Sequence, residues 1–115
     1  MANNLLHQNK NYINILAKAK TPHRKAIIKT ADKELIYCLC ECALNILNGN
    51  IPLKPNEYQK LSKSKTHLRK LASEKTSQKE RRKILVQNGG FLPVLLAPIL
   101  GIVGQLLADK LINKK

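Results

Sequence analysis

The chain has 115 residues, 43% of them hydrophobic but only 3% aromatic, and 21 Lys and Arg against 7 Asp and Glu give it a formal net charge of +14. A chain this short holds one small domain with tails, and so basic a balance calls for an acidic partner: nucleic acid, anionic lipid or an acidic protein. The aromatic residues are Tyr12, Tyr37, Tyr58 and Phe91, with no Trp; this disfavours readers that stack single-stranded bases on exposed rings and leaves contact through phosphate, indifferent to sequence.

In chain order, residues 3–19 read as an amphipathic helix with Leu5, Leu6, Tyr12, Ile13, Ile15 and Leu16 on its apolar side, weakened by several Asn. Residues 1–20 are expected as an N-terminal helical arm. Thr21-Pro22 is a helix start, with a hydroxyl at the N-cap and Pro at the first helical position. A second start follows at Thr30-Ala31-Asp32, where either Thr30 or Asp32 suits the cap. Residues 33–48 form the strongest helix: Leu35, Cys38, Leu39, Cys42 and Ile46 follow 3-4 spacing. Ile36, Cys40, Ala43, Leu44 and Leu47 cover most of the remaining surface, so this helix is expected to be central and buried. Gly49 ends it.

Ile51-Pro52-Leu53-Lys54-Pro55 reads as an extended connector. Short helices are then predicted over 56–61, over 65–73 behind Ser64, and over about 77–87 behind Thr76 or Ser77 paired with Glu80. Residues 51–90, which contain all three, carry eleven Lys or Arg against three acids, a net +8. Lys60, Lys63, Lys65, Arg69, Lys70, Lys79, Arg81, Arg82 and Lys83 are the expected phosphate contacts. With about six to ten such contacts, affinity falls by roughly 10³–10⁵ between 50 and 200 mM salt as condensed counterions are released. Nuclear import is a compatible second reading of Lys79-Glu80-Arg81-Arg82-Lys83.

Gly89-Gly90 is expected to be a flexible joint. Beyond it, residues 91–104 contain no charge or strong polar group, and 91–112 look helical despite Pro93, Pro98, Gly101 and Gly104. A bilayer span needs about 20 apolar residues, and Phe91–Ala108 falls just short. An interfacial helix, a self-association face or a helix docked in a partner are the other uses, through Phe91, Leu95, Leu96, Ile99, Ile102, Val103 and Leu106. Packing back onto helix 33–48 is the remaining alternative. The expected division is an arm over 1–20, a basic helical domain over 21–88 and an apolar tail over 89–115. The expected fold class is all-α, with four to five short helices around the central one.

Catalysis has little to stand on. There is no Gly-rich phosphate loop, no His-Glu pair at metal-binding spacing and no nucleophile motif, so no enzyme activity, cofactor or metal is expected. Cys38, Cys40 and Cys42 are too few and too close to frame disulfides. They suit core packing in a reducing compartment, and the N-terminus lacks the pattern of a secretory signal.

Two stretches carry a family resemblance: Cys38-Leu39-Cys40-Glu41-Cys42-Ala43-Leu44-Asn45-Ile46-Leu47-Asn48-Gly49-Asn50-Ile51-Pro52-Leu53, and Lys83-Ile84-Leu85-Val86-Gln87-Asn88-Gly89-Gly90-Phe91-Leu92-Pro93. Together they resemble small basic proteins of Polinton/Maverick-type elements and the related adintoviruses, and the layout of a basic block followed by an apolar tail resembles adenovirus core peptide mu. The resemblance implies a component of the virion or host nucleus that condenses or tethers double-stranded DNA, self-associates, and meets a capsid protein or membrane surface through its tail. It brings no catalytic residues. Lys outnumbers Arg here, unlike in the Arg-rich adenoviral core peptides.

Overall fold

The computed structural model describes residues 8–101. Six α-helices occur in order: α1 (Lys10–Lys18), α2 (Thr21–Thr30), α3 (Lys33–Leu47), α4 (Pro55–Ser62), α5 (Lys65–Ala72) and α6 (Gln78–Asn88). A 3-10 turn, Gly89–Phe91, leads into a further helix, α7, over residues 92–101. No strand occurs among the described residues. The all-α expectation holds.

Three helices, α3, α4 and α6, begin where a side-chain oxygen meets a free backbone donor. Of the two candidate caps before α3, the structure uses Asp32, whose Oδ1 accepts from the Leu35 N–H at 2.8 Å. Thr30 instead turns back, its hydroxyl meeting the Ala26 carbonyl at 3.2 Å. Ser77 caps α6 by accepting from the Glu80 N–H at 3.1 Å. At α4, Glu57 Oε1 reaches back to the Lys54 N–H at 2.9 Å, half of a capping box. The α2 start lies one residue earlier than expected: Lys20 is the N-cap, Thr21 the first helical residue, and no side chain caps the end. At the far end of α3 the chain turns through Gly49 with φ +72°, the left-handed conformation that glycine tolerates best.

Helix α3 is the hub. Leu35, Ile36, Cys38, Leu39, Cys40, Cys42, Ala43 and Ile46 are all buried. Helix α5 lies along it through Leu68 and Leu71, α2 packs on α6, and α6 touches both α3 and α5. Helix α1 adds Ile13 and Leu16 to the same core.

In the C-terminal region one expectation is corrected and one of the alternatives is found. Gly89-Gly90 is no break: Gly89 is buried, and the 3-10 turn passes the chain directly into α7. Phe91 lies over α5, its ring 6.5 Å from that of His67 with planes 15° apart. Of the uses open to the apolar stretch, its described residues take the packing back onto helix 33–48. Leu92, Leu95, Leu96 and Ile99 are buried in one cluster with Leu39 and Ile46. Each such side chain contributes about 1.5–3 kcal/mol when withdrawn from water, which gives the chain a strong reason to fold the segment inward.

Candidate polyanion interface

The basic residues reach the surface because the apolar positions of each short helix point the other way. In α5, Leu68 and Leu71 face α3, leaving Lys65, Arg69 and Lys70 exposed. Lys65 and Arg69 are one turn apart, the spacing of neighbours on a helix face. In α6, Ile84 and Leu85 are buried while Lys79 and Lys83, also one turn apart, are exposed. Lys60 and Lys63 are exposed at the end of α4 and the turn after it. Helices α5 and α6 pack against one another, so their basic rows belong to adjoining elements. No Lys or Arg forms an ion pair with a carboxylate among the described residues. The exposed cations therefore keep their full field for an outside anion.

Two of the expected contacts are engaged otherwise. Arg82 crosses to the end of α2, where Nη1 donates to the Ile28 carbonyl at 2.7 Å and to the Lys29 carbonyl at 3.3 Å. A cation at a helix C-terminus meets the negative end of the helix dipole and its unpaired carbonyls. Arg81 reaches back over the α5–α6 loop, its Nη2 donating to the Ser73 carbonyl at 2.8 Å. Both guanidiniums brace the fold, leaving Lys60, Lys63, Lys65, Arg69, Lys70, Lys79 and Lys83 as the expected residues with free, exposed heads. One cation the sequence analysis did not single out is Arg24, 7% exposed. Only its position in α2, four residues after the N-cap and beneath a Thr, hinted that it differs from its neighbours.

The expected docking residues divide. Phe91, Leu95, Leu96 and Ile99 are 6%, 0%, 0% and 1% exposed, and so belong to the molecule's own core. Ile102, Val103 and Leu106 lie outside the described residues. The outward side of α7 carries exposed Ala97 beside half-buried Val94, Pro98 and Leu100, an apolar surface without charge.

The three cysteines are buried and none is in a disulfide among the described residues. Burial pushes the Cys40 thiol up to about 11. Cys38 and Cys42, one turn apart, share a hydrogen bond that lowers the pKa of Cys38, while that bond together with burial raises Cys42. No group of three His, Cys, Asp or Glu side chains placed to hold a metal ion occurs among the described residues. A shallow apolar groove between α1 and α2 is lined by Ile15, Ala19, Ala26 and Ile27, with Lys18 and His23 at its edge; these supply no carboxylate or nucleophile. What the surface can do chemically is attract anions. Comparison of this chain with protein-family models, curated proteins and solved structures gave no match.

Proposed function

We propose that this protein binds nucleic acid without regard to sequence, as a DNA-condensing, packaging-type protein that grips the phosphate backbone. The observation that carries the reading is the exposed set Lys60, Lys63, Lys65, Arg69, Lys70, Lys79 and Lys83, lying on helices with buried opposite sides or, for Lys63, in the turn after one, and lacking any internal ion pair among the described residues. Lysine heads on short helices suit phosphate as point charges, while base-edge recognition would call for planar donors in a groove. Double-stranded DNA is the expected partner, and a place in a virion core follows only from the resemblance of the two quoted stretches.

The test is DNA affinity over a salt series. A steep linear fall of log affinity with log salt, similar for unrelated duplexes, is expected. A flat plot, or strong preference for one sequence, refutes phosphate-driven binding.

A second reading, docking on a membrane or a capsid protein, is favoured by one feature. The helical stretch Gln78–Gly101 runs 24 residues, with mean hydropathy 1.6 over its most apolar window, enough by length and composition to cross a membrane. Against it, inserting α7 would pull Leu92, Leu95, Leu96 and Ile99 out of the core and leave their apolar partners facing water. Full-length protein and an Ala97→Asp variant compared for leakage of anionic vesicles separate the readings. Equal leakage, or none from either, removes the outward face of α7 from the account.

A further inference from the structure

Arg24 is the one charged side chain buried among the described residues. It stands at the fourth position of α2, and helical side chains lean toward the N-terminus of their helix. Its guanidinium accordingly folds back onto the first turn, where Nη2 donates to Thr21 Oγ1 at 3.3 Å. Nε lies 3.9 Å from the point a Cβ on Gly89 would occupy, so the group is wedged under the 3-10 turn. Among the described residues no carboxylate pairs with it, and Nε and Nη1 have no hydrogen-bond partner. They are not sealed off either; the fully enclosed polar side-chain atoms without a partner are Gln78 Oε1 and Arg81 Nε. A largely buried cation without a counter-ion is costly, and an anion from outside is one way to complete it, reaching the nitrogens that remain open.

The first turn of α2 independently asks for the same ion. This ten-residue helix has no side-chain cap and no acid in its first turn. The Arg24 N–H is spent on the Lys20 carbonyl at 3.0 Å, while the Thr21 and His23 N–H groups, ahead of it, precede the point where helical bonding begins. Lys20, Thr21, His23 and Lys25 are all exposed, so the turn is open to approach. A helix N-terminus is a natural seat for an anion.

We propose that the first turn of α2, with Arg24 behind it, is a phosphate-binding seat. The Arg24 guanidinium would meet one phosphate from the protein side, the Thr21 hydroxyl and the Thr21 and His23 N–H groups would meet it from the helix end, and Lys20 and Lys25 stand at the mouth. The ligand class is a phosphate monoester or diester. Its identification as a nucleic-acid phosphate rests on the function proposed above. The seat lies outside the 51–90 block and adds a directional contact to its diffuse attraction.

Inorganic phosphate is the first probe, titrated into the full-length protein at constant ionic strength against chloride while backbone amides are followed by NMR. Shifts that saturate at Thr21 and His23 are expected. Shifts confined to α4–α6, or matched by chloride, overturn the seat. Arg24→Met is expected to be as stable as the wild type, or more so, without phosphate, and to lose most of the rise in Tm that phosphate gives the wild type. Thr21→Val keeps the buried guanidinium and is expected to bind phosphate several-fold more weakly. Should Arg24→Met not fold, the amide shifts and Thr21→Val still decide; wild-type affinity in Thr21→Val together with absent amide shifts rejects the proposal. To identify the source, a short DNA duplex and phosphatidic acid vesicles are each bound to wild type and Arg24→Met. Weakening by about tenfold toward the duplex supports nucleic acid; weakening toward vesicles alone overturns that assignment. A saturable phosphate site combined with a flat DNA salt plot would refute the proposed function and leave the seat standing.

Discussion

Arg82 reaches two carbonyls at the end of α2, whereas Lys83, next in the chain, is exposed. Their substitutions should therefore separate stability from binding. Arg82→Met removes charge-assisted hydrogen bonds from a partly buried site and is expected to cost about 1–2 kcal/mol in urea unfolding. Lys83→Met is expected to stay within about 0.5 kcal/mol of the wild type and to lower the salt slope of DNA binding by about 0.9. The reverse pattern would show that the roles are misassigned. The run Lys79-Glu80-Arg81-Arg82-Lys83 looks uniform as sequence, because composition does not say what packs beside each turn. Helical phase turns 79 and 83 outward, 81 toward the α5–α6 loop and 82 toward α2, and the α2 carbonyls that Arg82 meets belong to a segment far along the chain. The cysteines were easier to read, since small apolar side chains at 3-4 spacing ask only for a buried face. Cys40 has a measurable consequence. Its folded pKa of about 11 lies above the ordinary thiol value of 9.0, so between these the folded state holds a proton that the unfolded state has released. That contribution to stability is complete below about pH 9 and is lost as pH rises through about 11. Tm measured from pH 8.5 to 11 should fall more steeply for the wild type than for Cys40→Val. Parallel curves would mean the thiol is not protected by burial.

At the scale of the helix, the boundaries were legible wherever a side-chain oxygen had a free N–H within reach. Asp32 and Ser77 both cap as their positions suggest, and Gly49 turns the chain after α3. Asp32→Ala and Ser77→Ala are each expected to lose about 1 kcal/mol by chemical denaturation. Gly49→Ala should lose a similar amount, because a Cβ at φ +72° meets the following carbonyl. Ser64→Ala is a useful control: Ser64 stands at the N-cap of α5 but makes no side-chain cap bond, so little change is expected, and a loss equal to that of Asp32→Ala would contradict the geometry. The Gly89-Gly90 pair was misread for a physical reason. Two glycines weaken a helix taken alone, but here Gly89 is buried beside Leu92 and Arg24, and Phe91 sits on His67. Tertiary contacts fix a turn that local propensity would have left loose. The inward course of α7 was hidden likewise: an uncharged run reads the same whether its cover is a bilayer, a partner or its own core, and the choice depends on whether α3 has apolar surface left to cover.

For the whole molecule, the buried cluster joins α1 to α7 around one core, and the radius of gyration of 13.8 Å is close to the roughly 13 Å expected of a folded chain this long. That core must hold together a net charge of +14 with no ion pair between basic and acidic side chains among the described residues. Self-repulsion of this kind opposes compaction, and surface charges feel it over about 10 Å at 0.1 M salt. Added ions should therefore act in opposite directions on folding and on binding. Raising sodium chloride from 50 to 200 mM screens repulsion between lysines and is expected to raise Tm, while the same change weakens DNA binding by roughly 10³–10⁵ if six to ten phosphates are held. At fixed low salt, a short DNA duplex should raise Tm by supplying the missing counter-charge, and the gain should shrink as salt increases. Thermal unfolding across a grid of salt and duplex concentrations tests both effects in one experiment. A Tm that falls with salt in the free protein would mean that attraction between the chain's own charges outweighs their repulsion, and the surface would then already be satisfied without a polyanion.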